Sequence, residues 1–202
     1  MPDILVTAFR PFGGDGINPT ERILSSLPDE LDGKHIFKLL LPVEFEEAPR
    51  MAARSLMRIR PSAVVMLGQA GGRRDITPER VAINIMDASI PDNAGYEPKD
   101  VPLASDGPAA YFATLPIKHI VERLRSQGLS AAVSNSAGTY VCNALMYGVL
   151  HEIARRGLDI KAGFVHFPFI REQVEGRADR QGVPFIEPED AIRAARTIVG
   201  AL

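Results

Sequence analysis

The single cysteine of the chain, Cys142, lies in SNSAGTYVCNALMYGVLH, where a glycine turn gives way to an apolar helical pattern. A thiol at the start of a helix faces unpaired backbone N–H groups and the positive end of the helix dipole. Both favour the thiolate, the form that attacks. The same N–H groups can hold the oxyanion of a tetrahedral intermediate. A lone cysteine is also commonly an inert core residue, so position alone leaves both roles open. His166 sits in AGFVHFPF, an apolar run that stops at Pro168. Open α/β sheets place their ligands at the C-terminal ends of such strands, where a histidine can serve as a base or simply pack. Glu79, in ITPERVAIN, follows the turn GQAGG. A carboxylate there can fix a histidine's tautomer and stabilise its protonated form, or pair with Arg80 in solvent. These three residues license a cysteine–histidine–acid hydrolase and nothing more specific.

The other candidates are weaker. His35 begins a strand-like run, His119 lies on a helical face, and His151 falls inside a helix; surface or packing roles account for all three. The turns FRPFGG and GQAGG match neither GxxxxGK[ST] nor GxGxxG, so a nucleotide cradle is disfavoured. Phe9 and Phe12 beside those glycines offer either an apolar wall or two ordinary core aromatics.

The elements that must position these residues alternate between strand-like and helical patterns. Strand-like runs fall at Ile4–Ala8, His35–Leu41, Ala63–Leu67, Val81–Met86, Ala131–Ser134 and Ile160–His166. The continuous apolar run AVVML, ending at Gly68, suits a central parallel strand. Helical patterns fall at Thr20–Leu27, Phe45–Ile59, around Ile117–Leu124 with Gly128 closing it, Asn143–Arg155 with Gly157 closing it, and Glu189–Leu202. Asn18 before Pro19 reads as a capping side chain followed by proline in the first turn. The alternation predicts a single α/β/α three-layer sandwich with a mostly parallel central sheet. Residues 87–108, rich in Pro, Asp, Asn and Gly, form the longest irregular stretch, which predicts a substrate lid or a subunit contact.

Bulk properties narrow the class. With 202 residues the chain supports one sizeable core, and no repeat or composition break divides it, so one domain over residues 1–202 is expected. Net charge is −2 with positive residues scattered, which disfavours a nucleic-acid surface. The N-terminus lacks a secretory pattern, and no apolar stretch reaches the roughly 18 residues of a membrane span. One cysteine excludes an internal disulfide and a cysteine-rich metal site. A cytoplasmic enzyme is the expectation, with no membrane or nucleic-acid partner.

Four separated blocks give a more specific reading: VTAFRPFGGDGINPT at 6–20, GQAGGRRDITPERVAINIMDASIPDNAG at 68–95, SNSAGTYVCNALMYGVLH at 134–151 and AGFVHFPFIREQV at 162–174. They resemble the pyroglutamyl peptidase I (pyrrolidone-carboxylate peptidase) family over most of the chain. The resemblance places that family's acid on Glu79, its cysteine nucleophile on Cys142 and its histidine on His166. It implies a ring-binding pocket at Phe9, Phe12, Asn18 and Gln69. It also implies a homotetramer, peptides beginning with pyroglutamate as substrates, and neither metal nor organic cofactor. Two positions depart from the family pattern: Arg10, usually acidic, and Ser89, usually arginine. A thiol amidohydrolase acting on another small lactam or amide, and a silent pyroglutamate-binding protein, are the alternative readings. The nucleoside phosphorylases share only the general architecture, which is a poor warrant for function.

Overall fold

A computed structural model describes residues 2–202. The strands are β1 (Asp3–Phe9), β2 (Glu30–Leu31), β3 (Lys34–Leu41), β4 (Ala63–Gln69), β5 (Thr77–Pro78), β6 (Val81–Ile83), β7 (Ala110–Phe112), β8 (Lys161–Phe167), β9 (Phe169–Ile170) and β10 (Phe185–Ile186). The helices are α1 (Pro19–Ser26), α2 (Glu47–Ile59), α3 (Ile117–Ser126), α4 (Val141–Arg155), α5 (Arg171–Val174) and α6 (Pro188–Gly200). The central sheet runs β2-β3-β1-β4-β8-β5. Its four inner strands are parallel, and only the two short edge strands, β2 and β5, run antiparallel.

The pleat divides the core. Ile4, Val6 and Ala8 of β1, with Ala63, Val65 and Leu67 of β4, pack under α1, α3 and α6. Leu5 and Phe9, with Val64, Met66 and Phe164, pack under α2 and α4. Alternation of side chains along each strand makes this two-faced burial possible, because successive residues point to opposite faces. Full burial of each such Leu, Met or Phe contributes about 1.5–3 kcal/mol relative to exposure. The expected three-layer α/β/α arrangement is the one observed. Among the described residues, no helix is long and apolar enough to cross a membrane.

Most expected elements lie within two residues of their predicted ends. Helix α1 opens as expected: Asn18 Oδ1 accepts from the Thr20 N–H at 3.1 Å, and Pro19 occupies the first turn. Helix α4 starts two residues earlier than its apolar face indicates, so Cys142 is its second residue. Gly157, with φ of +61°, follows it.

Two strand expectations are corrected. Val81–Met86 does not join the central sheet; Val81–Ile83 pairs antiparallel with Ala110–Phe112 in a separate ribbon. Asn143 ties that ribbon to α4, accepting from the Ile83 N–H and donating to the carbonyls of Ile83 and Ile85. Ala131–Ser134 is no strand. It makes isolated parallel bridges to Ile76 and Glu79, because Pro78, which runs beside it, has no N–H to complete the ladder between them. The irregular 87–108 segment is held by Asp92, which accepts from the N–H groups of Phe45, Ala94 and Tyr96 at 2.9 Å each.

Candidate active site

Glu79, Cys142 and His166, separated by up to 87 positions, meet at the C-terminal edge of the sheet. Gly68 of β4 and His166 of β8 are register partners. The pleat puts both on the face covered by α4, level with Met66 and Phe164 in the preceding turn of the alternation. A Cβ on Gly68 would stand 3.1 Å from Cys142 Sγ and overlap the Phe164 ring. Glycine at 68 therefore lets the first turn of α4 lower the thiol onto the sheet beside the histidine. The N-cap of α4, Tyr140, makes no side-chain capping bond, so the N–H groups of that turn remain available to an oxyanion.

His166 Nδ1 lies 2.7 Å from Glu79 Oε1. A carboxylate on Nδ1 keeps the proton there and leaves Nε2 of the neutral ring as the basic nitrogen. Glu79 is fully buried and His166 is 4% exposed, so water does not weaken this pair. The backbone places the acid: the Glu79 N–H donates to Phe164 O at 2.9 Å, and Thr77 of β5 pairs with His166. Arg73 Nη1 donates to Glu79 Oε1 and to Thr77 Oγ1, both at 2.6 Å. Ser134 faces Glu79 across a β-bridge, but its hydroxyl donates to Ser136 O, and Glu79 Oε2 has no hydrogen-bond partner among the described residues.

Burial sets the resting charges. It pushes the Cys142 thiol up to about 12, with the Glu79 charge adding to the effect and Arg73 opposing it. Burial also pulls His166 below its ordinary value, against the raising influence of Glu79. For Glu79, burial opposes ionisation, but hydrogen bonds from His166 and Arg73 outweigh it and hold the carboxyl below its usual range. With the thiol raised and the imidazole lowered, the Cys142–His166 pair is disposed toward its neutral form, beside a carboxylate bonded by Arg73. Of the two forms the helix start admits, a preformed thiolate and a thiol deprotonated during attack, the second fits these charges.

The ring-pocket candidates divide. Phe9 is buried, its ring 6.4 Å from that of Phe164. Phe12 is partly exposed and packs on Tyr140 at 6.2 Å. Phe12 and Tyr140 line an open cavity of about 430 Å³ with Asp87, Ala88, Ser89, Ile90, Lys99 and Thr139. Asn18 does not present a free amide: Oδ1 accepts from the Thr20 N–H and hydroxyl, and Nδ2 donates to Arg10 O. Its work is to cap α1. Gln69 Oε1 accepts from Gln173 Nε2 at 2.8 Å, on the face of β4 opposite Gly68. Both departures, Arg10 and Ser89, are exposed, and Ser89 is on the cavity wall.

The β1–β4 ladder supplies polar groups that side chains do not. It ends at Thr7–Met66, whereas β1 stays paired with β3 to Phe9 and β4 with β8 to Gln69. The Ala70 N–H turns to Phe167 O, so alternation turns the N–H and C=O of Gln69 toward the gap. On the other bank, the Phe9 N–H is already taken by Thr20 Oγ1. The gap is the point where strand order reverses, between β1 and β4, the usual ligand crevice of an open sheet. Sequence reasoning missed Arg73, Tyr140 and Gln173. A signal existed for all three, which fall inside the quoted blocks, and Arg73 is a cation six residues before the candidate acid.

The comparisons with known proteins agree along the full chain. A family model described as pyroglutamyl peptidase matches residues 2–202. The chain is 50% identical over 196 residues to pyrrolidone-carboxylate peptidase 1 of Caldanaerobacter subterraneus subsp. tengcongensis, covering 97% of this chain and 95% of that protein. It is 54% identical over 170 residues to the pyrrolidone-carboxylate peptidase of Thermococcus onnurineus, covering 84% and 85%. The solved pyrrolidone carboxyl peptidase of Thermococcus litoralis superposes with a TM-score of 0.95 at 40% identity, over 100% of this chain and 93% of that one. The Bacillus amyloliquefaciens pyroglutamyl peptidase I superposes at 0.93 with 37% identity, over 100% and 96%. Matches of this length and identity, on a fold that assembles a thiol, an imidazole and a buried carboxylate at one sheet edge, place the chain in the pyroglutamyl peptidase family.

Proposed function

We propose that the protein hydrolyses the bond after an N-terminal pyroglutamyl residue, with Cys142 as nucleophile, His166 as base and Glu79 as orienting acid. The observation that carries the reading is the approach of the Cys142 thiol to Gly68, the register partner of a histidine held by a buried carboxylate.

Pyroglutamate is a five-membered lactam with no charged amine. A site for it needs apolar walls and amide-directed hydrogen bonds, and no carboxylate to receive an ammonium. Phe12 and Tyr140 offer the walls, and the backbone of Gln69 at the open ladder offers a donor and an acceptor. A site built for those polar groups rejects proline, which lacks the lactam oxygen and would leave a partner unpaired.

His166 Nε2 takes the thiol proton as Sγ attacks the carbonyl between pyroglutamate and the next residue. The first-turn N–H groups of α4 receive the oxyanion. The imidazolium, stabilised by Glu79, then protonates the leaving amine, and water attacks the thioester to release pyroglutamate. Burying Glu79 without compensation would be costly while His166 is neutral, and Arg73 meets that need throughout the cycle. The chain's own groups supply every proton movement.

One catalytic unit over the chain, assembly into a homotetramer, and a reducing, cytoplasmic setting that keeps the single thiol active complete the proposal. The test is release of a chromophoric amine from a pyroglutamyl amide by wild type and Cys142→Ala, beside a prolyl amide. Thiol-dependent release from the pyroglutamyl compound alone, absent in the variant, supports the reading. Release from other lactams or amides in its place would redirect it to a different thiol amidohydrolase.

A further inference from the structure

Gln173 is a buried amide, 4% exposed, on the short helix α5, and none of its hydrogen bonds goes to the thiol or the imidazole. Its orientation follows from groups whose roles cannot reverse. The Ile170 N–H can only donate, and it meets Gln173 Oε1 at 3.2 Å. The Ile17 carbonyl can only accept, and it meets Nε2 at 3.2 Å. The remaining Nε2 hydrogen therefore goes to Gln69, whose nearest atom must be its oxygen, Oε1, at 2.8 Å.

This one amide joins two banks of the candidate pocket. Ile17 ends the loop that carries Phe12, and Gln69 ends β4 where the ladder to β1 has opened. Tied to Gln173, the Gln69 side chain is drawn to the α1 face, away from Gly68 and Cys142. Its backbone N–H and C=O are left at the gap.

We propose that Gln173 is a positioning residue that sets the pocket for the lactam ring by fixing the Gln69 backbone against the Phe12 loop. The inference rests on the pyroglutamyl peptidase reading. It assigns Gln173 to recognition of the ring and leaves the covalent chemistry to Cys142, His166 and Glu79.

Gln173→Glu keeps the side-chain shape and the acceptor for Ile170 but removes both donors, so a carboxylate faces two oxygens. The expected result is a KM for pyroglutamyl amide raised about tenfold or more with kcat changed less than about threefold. Alkylation of Cys142 by a small uncharged reagent should proceed at the wild-type rate. Gln69→Leu, which removes the acceptor from a partly exposed position, should raise KM similarly, and Gln173→Glu should add little in that background. It also serves if Gln173→Glu fails to fold. Unchanged KM in a folded Gln173→Glu or Gln69→Leu protein would overturn the positioning role while the activity stands. So would a parallel fall in kcat and alkylation rate, the mark of general loosening. An inactive wild type would overturn the functional reading and this inference with it.

Discussion

All four histidines of this molecule lie within 4.0 Å of a carboxylate, but His35 and His119 do so on the surface, and of the other two only His166 has the arrangement of a proton-transfer group. His151, near the far end of α4, has Nδ1 2.9 Å from the Tyr111 hydroxyl and Nε2 3.5 Å from Asp106 Oδ1. Its ring stacks on Tyr147, with centroids 5.9 Å apart and planes 17° from parallel. Both of its nitrogens are engaged, and the Asp106 side chain is 72% exposed, so water screens the charge. His166 has the opposite arrangement: one nitrogen on a fully buried carboxylate, the other without a hydrogen-bond partner among the described residues, in a ring whose register partner Gly68 lies against Cys142. An acid–histidine pair becomes catalytic machinery when the acid is desolvated and one nitrogen is left for the nucleophile.

The same substitution at the two sites is the strongest way to break this contrast. His166→Gln should lower kcat/KM by about 10²–10⁴, the usual worth of acid–base assistance. Equal losses for His166→Gln and His151→Gln, measured on folded proteins, would sink the distinction.

Removing the partners of His166 sharpens it through pH. Glu79→Gln should lower kcat by roughly 10², because the ring loses its tautomer lock and the stabiliser of its protonated form. In the wild type, His166 titrates below its ordinary value of 6.5, so the acid limb of kcat/KM should lie below pH 6.5. Glu79 raises His166, so Glu79→Gln should move that limb lower still. Arg73 lowers His166, so Arg73→Met should move it up, with kcat down about tenfold. Shifts in the same direction would refute the charge assignment. Stability follows the same signs. The folded values of His166 and Glu79 are both depressed, so the unfolded chain takes up those protons first. The stability they contribute is present above the ordinary values and is lost as pH falls through the folded ones. Acid denaturation of Glu79→Gln should therefore lose the Glu79 contribution that falls away below pH 4.5. The His166 contribution lost below pH 6.5 should grow, because the ring's folded value drops further.

The contrast between the two histidines also marks what a sequence displays. Cys142, His166 and Glu79 each lie in a long local block with a pattern around it, and so did the strand ends that place them. Gln69 and Gln173 lie in the same blocks as Glu79 and His166, but their bond spans 104 positions and neither residue type announces a partner, so the pairing was not legible. Asn18 was legible as a helix cap from Asn-Pro alone, and its Oδ1 does cap α1 while its Nδ2 ties the preceding loop at Arg10 O. The opened β1–β4 ladder is a matter of register between strands, set by how far each strand pairs with its outer neighbour. Ala131–Ser134 carries the composition of a strand and forms only bridges, because pairing depends on what runs beside it.

The smallest expected effect is at His151 itself, where the comparison makes a claim about absence of chemistry. His151→Phe keeps the ring stacked on Tyr147 and removes both polar contacts. The Tyr111 hydroxyl then loses its partner, while Asp106 stays in water. The loss should be about 0.5–1.5 kcal/mol of stability, the net worth of a typical hydrogen bond. Asp106→Asn should cost less still, since an exposed pair at 3.5 Å contributes little. Neither change should alter kcat/KM by more than about twofold, because effects at sites without shared partners add rather than couple. Denaturant midpoints beside initial rates would read both quantities from one preparation. A large rate loss with unchanged stability would mean that α4 transmits the state of its far end to Cys142, and that burial and a free nitrogen do not by themselves mark the working histidine.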